Sequence, residues 1–413
     1  MNLTITPIRL KGEVTPPPSK SQTHRLIIAA ALAKGESVIE NVVLSEDILA
    51  TLRGVEAMGA SWEISGEMLK IRGIASRDAE RAELPRIDCG ESGSTLRFLI
   101  PVALALYGGG EFRGAKRLME RPLQPYFDLF DEKGIFYSLE NDTLTVRGQL
   151  LPGEYRLAGN VSSQFFTGLL FALPLLNGDS VIIPTGHMES LSYVGMTLHA
   201  LSEFGIQIPM TCSIPPRYYI PGDAAYQPRA IAVEADWSQA AFWYAAAGLG
   251  SEVNVAHMNE ASLQGDRMIL DFGKMLSVGG NVSIDVSDCP DLAPPLAAWG
   301  ALREGELRLT NAARLRTKES DRLAAIAQTL SALGADVHEE ADGLTIRGKS
   351  ELTGGVTVDC RADHRIAMML AVAAQRCAAP VTLTGAQCVN KSYPRFWEDY
   401  TALGGIIHEH AGQ

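Results

Sequence analysis

The chemistry-bearing residues of this chain gather where polar loops run into apolar stretches. The most specific case is Pro16-Pro17-Pro18-Ser19-Lys20-Ser21-Gln22-Thr23-His24-Arg25, which leads into a wholly apolar run. The prolines stiffen the approach and Ser19 is placed to cap a helix, so Lys20 and Arg25 fall near its first turns. There, unpaired backbone N–H groups and the helix dipole attract anions. Five further segments repeat the design: Gly90-Glu91-Ser92-Gly93-Ser94, Gly159-Asn160-Val161-Ser162-Ser163-Gln164, Ala235-Asp236-Trp237-Ser238, Cys289-Pro290-Asp291 and Arg361-Ala362-Asp363-His364-Arg365. Ser162, Ser163 and Gln164 bring more hydrogen-bonding groups than the one serine that capping requires. Gly93 permits close backbone approach to a ligand. A chain that makes this loop repeatedly is expected to surround a small polyanion.

Two charged clusters carry a competing, purely structural reading. Leu315-Arg316-Thr317-Lys318-Glu319-Ser320-Asp321-Arg322 alternates in sign, as a salt-bridged surface would. Read as a helix start, it places Lys318 and Arg322 four residues apart on one face, with Glu319 beside them. Arg117 to Arg121, before Pro122, reads equally as a solvated basic face. Lys391, in Asn390-Lys391-Ser392-Tyr393-Pro394, precedes a last amphipathic stretch, and Asp291 reads as either a helix N-cap or a functional acid. The eight histidines form no ligand-spaced pair and the six cysteines no Cys-x-x-Cys, so no metal site and no disulfide framework is expected.

Behind the loops lies a repeat. Amphipathic helices are predicted at Glu46–Met58, Leu123–Lys133, Leu191–Phe204, Arg267–Val278, Lys318–Leu333 and Tyr393–Leu403. Each ends at a glycine (Gly59, Gly134, Gly205, Gly279, Gly334, Gly404), and these recur at roughly 70-residue intervals with one shorter gap. Alternating strand pairs follow three of them, separated by Ser65-Gly66, Asn141-Asp142 and Asp342-Gly343. The helix opening each unit is apolar nearly all round, which makes it core. One unit reads strand, buried helix, strand, amphipathic helix, hairpin. At 413 residues the chain accommodates two domains of three units each. The net charge of −12 argues against a nucleic-acid or basic membrane-surface protein. Met1–Leu10 reads as a strand and not a signal peptide, and no apolar run reaches the roughly 20 residues of a membrane span, so a cytoplasmic location is expected.

In these loops the chain resembles the 5-enolpyruvylshikimate-3-phosphate synthase family. The resemblance runs through Ser19-Lys20-Ser21 to Arg25, Arg121-Pro122, Val161-Ser162-Ser163-Gln164, Lys318-Glu319 to Arg322, Asp363-His364-Arg365 and Lys391. It implies an α/β fold, the two-domain inverse α/β barrel with six βαβαββ repeats. Residues 14–229 would form one domain, residues 1–13 with 230–413 the other, and the active site would lie in the cleft between them. It also implies a monomer without metal or organic cofactor, acting on shikimate-3-phosphate and phosphoenolpyruvate. On this resemblance Lys20, Ser21, Arg25, Ser162, Ser163, Gln164, Ser190, Asp291 and Lys318 bind shikimate-3-phosphate. Lys20, Gly93, Arg121, Gln164, Arg322, Arg365 and Lys391 bind phosphoenolpyruvate. Asp291 takes the proton of the attacking hydroxyl, Glu319 protonates the methylene carbon, and Lys20 acts between the ligands.

Two positions depart from the family's pattern. Glu91 stands where an Asn is usual, and Arg314 where some members place a substrate-binding Asn, so neither role is carried over. UDP-N-acetylglucosamine enolpyruvyl transferases share fold and donor, but generally use a loop cysteine just before the arginine matching Arg121. This chain has none between Cys89 and Cys212, and has Lys20-Ser21 in place of Lys-Asn. A non-catalytic phosphosugar-binding protein is the alternative from outside enzymology.

Overall fold

The computed structural model describes residues 1–74 and 83–410. Its chain divides into two compact units, Pro18–Glu234 and Met1–Pro17 with Ala235–Gln413; residues 411–413 of the expected second domain lie outside the described residues. Both boundaries fall a few residues beyond the expected 14 and 230. The reason is strand pairing: Ala230–Ala232 runs parallel to Val38–Glu40 in the first unit, and Lys11–Val14 runs parallel to Glu252–Val255 in the second.

In the first unit the core helices are Lys20–Leu32, Gly93–Tyr107 and Ser163–Ala172; in the second, Trp237–Gly248, Ala293–Gly300 and His364–Ala374. Those of the second unit pack on one another in a triangle, and alanine-rich faces such as Ala245–Ala246 and Ala297–Ala298 are fully buried. Five of the six are capped by the polar residue that the loops supply. Ser19 accepts from Gln22 N at 3.3 Å, Ser92 from Thr95 N at 3.2 Å and Ser162 from Gln164 N at 3.3 Å. Asp236 accepts from Ser238 N at 2.9 Å and Asp363 from Arg365 N at 3.0 Å. Such caps contribute about 1 kcal/mol each. The exception is Ala293–Gly300, which is entered through a 3-10 turn, Pro290–Leu292, and has no side-chain cap. Asp291 is thereby released from the capping role that its position suggested.

All six predicted terminal glycines adopt positive φ, between 67° and 108°, a conformation that only Gly takes without strain. Each of the three predicted hairpins forms: Ser61–Ser65 with Met68–Arg72, Phe136–Glu140 with Thr143–Arg147, and Asp336–Glu340 with Gly343–Arg347. Each sits in a four-stranded sheet whose remaining pair is parallel. Leu69 and Ile71, Leu144 and Val146, and Leu344 and Ile346 turn inward at alternate positions. A fourth sheet of the same kind uses the chain's first strand, Asn2–Thr6, between Val381–Thr384 and Ile406–His410.

One predicted helix is corrected. In place of a helix over Lys318–Leu333, a 3-10 turn at Ala313–Thr317 is followed by an irregular stretch and then by a helix, Arg322–Ala332. Asp321 caps this helix through Ala324 N at 3.1 Å, which leaves Lys318, Glu319 and Ser320 in an irregular turn. Among the described residues no helix is long and apolar enough to cross a membrane.

Candidate functional site

Arg322 is the hub of the second unit. Although 99% buried by its 1% exposure, it spans three carboxylates. Its Nη1 donates to Asp291 Oδ1 at 2.8 Å, its Nη2 to Glu319 Oε2 at 2.6 Å, and its Nε to Asp363 Oδ2 at 2.8 Å. Arg365, in the first turn of its core helix, donates through Nη2 to Asp291 Oδ2 at 2.9 Å and to Ser238 Oγ at 3.0 Å. Lys318 Nζ stands 3.9 Å from Asp291 Oδ1. The starts of all three core helices of this unit are therefore joined through one charged network. The irregular turn is what lets Lys318, Glu319 and Arg322 reach it together, in place of the shared helix face expected from their spacing.

Electrostatics follow from that packing. Burial alone would raise the Asp291 carboxyl, but Arg365, Lys318 and Arg322 outweigh it and hold the group far below the ordinary carboxylate range. Burial lowers Lys318 to about 8, with Arg322 and Arg314 adding to the effect against the pull of Asp291 and Glu319. Arg322 is lowered by burial, yet its carboxylates raise it more, so it is a permanent cation. Lys391 closes the 3-10 turn Ala386–Lys391 and is 4% exposed, its turn pinned by Trp397 Nε1 to Ala386 O at 3.0 Å.

In the first unit Lys20 Nζ meets Asp47 Oδ2 at 2.7 Å. Arg25 donates through Nη1 to Ser21 O at 2.6 Å, through Nε to Thr197 Oγ1 at 2.9 Å and through Nη2 to Tyr193 O at 3.0 Å. Burial lowers Arg25 to about 10, which leaves it charged at neutral pH. Gln164 ties two core helices together: its Nε2 donates to Ser94 Oγ at 3.0 Å, and its Oε1 accepts from Arg97 Nη1 at 2.7 Å. Ser163 is buried, and Ser190, also buried, holds a left-handed backbone at φ 54° before the helix Leu191–Glu203. Arg121 lies against Gly93: a Cβ added there would sit 3.0 Å from its Nη1. Arg121 is buried, and its Nε has no hydrogen-bond partner among the described residues.

The first unit thus carries Lys20, Ser21, Arg25, Gly93, Arg121, Ser162, Ser163, Gln164 and Ser190; the second carries Asp291, Lys318, Glu319, Arg322, Arg365 and Lys391. Glu91 is exposed, and Arg314 donates to the Ser287 carbonyl. Asp47 and Arg97 join the site with no motif to mark them, through Lys20 and Gln164. Asp47 looks like an ordinary acid in a helix's first turn. Arg97 did leave a signal, as the single cation inside an otherwise apolar helix.

Solved structures supply the fold type. EPSP synthase from Acinetobacter baumannii superposes with a TM-score of 0.80 over 99% of this chain and 100% of that one, at 24% identity. The fold is of the enolpyruvyl transferase type. The family model for EPSP synthase (3-phosphoshikimate 1-carboxyvinyltransferase) matches residues 5–400. Proteins named 3-phosphoshikimate 1-carboxyvinyltransferase are similar along their whole length. That of Clostridium novyi is 44% identical, covering 99% of this chain and 98% of the relative, and that of Clostridium acetobutylicum 45%, covering 98% of each. The chain belongs to the EPSP synthase family and is a transferase.

Proposed function

We propose that this enzyme transfers the enolpyruvyl group of phosphoenolpyruvate to the 5-hydroxyl of shikimate-3-phosphate and releases inorganic phosphate. The reading requires the residue sets of both units to meet around the same two substrates. Glu319 delivers a proton to the methylene carbon, which builds cationic character at the adjacent carbon. The 5-hydroxyl attacks there and Asp291 takes its proton. Loss of phosphate and of a methyl proton from the tetrahedral ketal then regenerates the enol. Buried cations around the leaving phosphate stabilise the charge that develops. Arg121 is the observation that carries this reading: a buried guanidinium without a carboxylate at its Nε, against a glycine, favours an incoming anion. Phosphate release from shikimate-3-phosphate plus phosphoenolpyruvate tests it, with UDP-N-acetylglucosamine as the comparison acceptor. Equal or greater release with the nucleotide sugar would overturn it. We place the enzyme in the cytoplasm as a monomer, which sedimentation of the purified protein checks.

Gly93→Ala should raise KM for phosphoenolpyruvate about tenfold, in the range that one added methyl group exerts in a fitted pocket. The new Cβ would press on the Arg121 guanidinium, 3.0 Å from Nη1 and 3.3 Å from Cζ, and displace the flexible end of that side chain. KM for shikimate-3-phosphate should stay within about twofold. Equal changes in both constants would refute a donor-side role for Gly93 and Arg121.

Lys318 gives a pH signature. Its pKa of about 8 means that it is a cation below that pH and neutral above. With this cation on the phosphosugar, kcat/KM for shikimate-3-phosphate should fall about tenfold per pH unit above 8, as loss of one essential proton dictates. In Lys318→Arg the limb should vanish from the accessible range, because guanidinium stays protonated. An unchanged limb in that variant would show that another group titrates.

A further inference from the structure

Two helices of the first unit are joined by parallel rungs one turn apart. Lys20 meets Asp47 at 2.7 Å, and four residues along each helix His24 Nδ1 meets Thr51 Oγ1 at 2.7 Å. The second rung continues inward. Thr51 Oγ1 lies 2.6 Å from Thr95 Oγ1, and Thr95 Oγ1 donates to Ser92 Oγ at 2.7 Å. Ser92, the cap of the helix Gly93–Tyr107, immediately precedes Gly93. All four side chains are buried to within 1% exposure.

Proton counting fixes the direction of this chain, since each hydroxyl has one hydrogen to give. Thr95 spends its hydrogen on Ser92, so it accepts from Thr51 across 2.6 Å, a far shorter contact than the 3.5 Å from Thr51 Oγ1 to its other acceptor, the Asp47 carbonyl. Thr51 has then spent its own, so it accepts from His24, which must carry its proton on Nδ1. The remaining ring nitrogen, Nε2, has no partner among the described residues, and Phe98 meets the ring edge-to-face at 6.5 Å between centroids. Burial lowers His24 to about 3, so the ring is neutral at working pH. A bare lone pair is also the cheaper atom to leave in such a setting than an unpaired N–H.

We propose that His24 is a positioning residue: through Thr51 and Thr95 it fixes the Ser92-Gly93 turn relative to Lys20, and so sets the distance between Gly93 and Arg121. The consequence for phosphoenolpyruvate rests on the function proposed above. Breaking the chain at Thr95 takes a hydrogen bond from Ser92, and breaking it at Thr51 takes from Thr95 its anchor on the helix Glu46–Ala57; either loosens the turn that Arg121 lies against. None of His24, Thr51, Thr95 and Ser92 need touch a substrate.

Two measurements test this, the first independent of activity. Selective ¹⁵N-histidine labelling, with His24→Asn to assign the signal, should show Nδ1 protonated and no titration between about pH 5 and 8. A proton on Nε2, or titration in that range, overturns the chain. The second is kinetic. Thr51→Val and Thr95→Val should each raise KM for phosphoenolpyruvate about tenfold, as small misplacements of a binding turn do. Both kcat and KM for shikimate-3-phosphate should stay within about twofold of wild type. Thr51→Ser and Thr95→Ser should restore the wild-type value, and the double valine variant should add nothing further, because one broken chain cannot be broken again. Serine variants as impaired as the valines, or equal changes in both KM values, would mean packing alone and sink the proposal. A wild-type enzyme inactive on these substrates would instead refute the proposed function, and the tautomer result would stand by itself.

Discussion

A Glu319→Gln enzyme will fold normally and turn over about 10²- to 10⁴-fold more slowly than wild type, the usual worth of a well-placed general acid. The substitution keeps the shape of the side chain and an oxygen for Arg322 Nη2, 2.6 Å away; it removes only the proton that can be transferred. Single-turnover phosphate release measures the effect, and a loss under about tenfold would dismiss Glu319 as the proton donor. Asp291→Asn should lose activity on the same scale, but with weaker binding as well. Its carboxylate accepts from Arg322 on one oxygen and Arg365 on the other, and an amide can satisfy only one of them. Asp291 is a poor base while three cations hold its pKa so low. Two of those cations, Arg322 and Arg365, are the ones proposed to take the anionic groups of phosphoenolpyruvate. As they turn to the substrate, Asp291 gains basicity when a proton must be removed. The acid limb of kcat should therefore lie at higher pH than that of kcat/KM, since the first reports the bound complex and the second the free enzyme.

The framework was readable because it is built from local rules. A cap serine, an apolar helix, a terminal glycine and a turn of two residues each act within a few positions, and six repetitions make the pattern hard to miss. The site was readable only in part. Lys20 and Arg25 announce themselves by their place at a helix start. Their partners do not, because Asp47 and Thr197 reach them across 27 and 172 residues. At Leu315–Arg322 two local rules conflict: i,i+4 spacing favours a helix from Lys318, while Asp321 is a strong cap three residues later. Tertiary contact decides between them, since Arg322 must reach Asp363 and Ser320 Oγ donates to Asp363 Oδ2 at 3.0 Å. The alternating charges of that segment conceal two separate structures. Arg316 forms the surface bridges, to Asp321 and Glu339, and Arg322 the buried network. From sequence alone both look the same.

Arg322→Met should destabilise the protein by about 3–5 kcal/mol, because removing one partner of a buried ion network leaves the others uncompensated. Asp291, Glu319 and Asp363 would then face one another around a methionine, with Lys318 and Arg365 remaining beside Asp291. The pH dependence separates this from a simple packing defect. In the wild type, Asp291 has a folded pKa below its unfolded value, so its contribution is fully present above about pH 4 and is lost only as the pH falls further. Between pH 7 and 5 wild-type stability should therefore be flat with respect to this group. In the variant, mutual repulsion raises the pKa of at least one carboxylate above its unfolded value, so the folded state binds the extra proton. Stability should then increase as pH falls from 7 to 5, the opposite of what acid does to most proteins. Urea denaturation at both pH values measures it. Arg322→Lys should fall between the two, since one ammonium cannot span three carboxylates. A methionine variant with wild-type midpoint and no inverted pH response would show that Arg322 does not hold this network together.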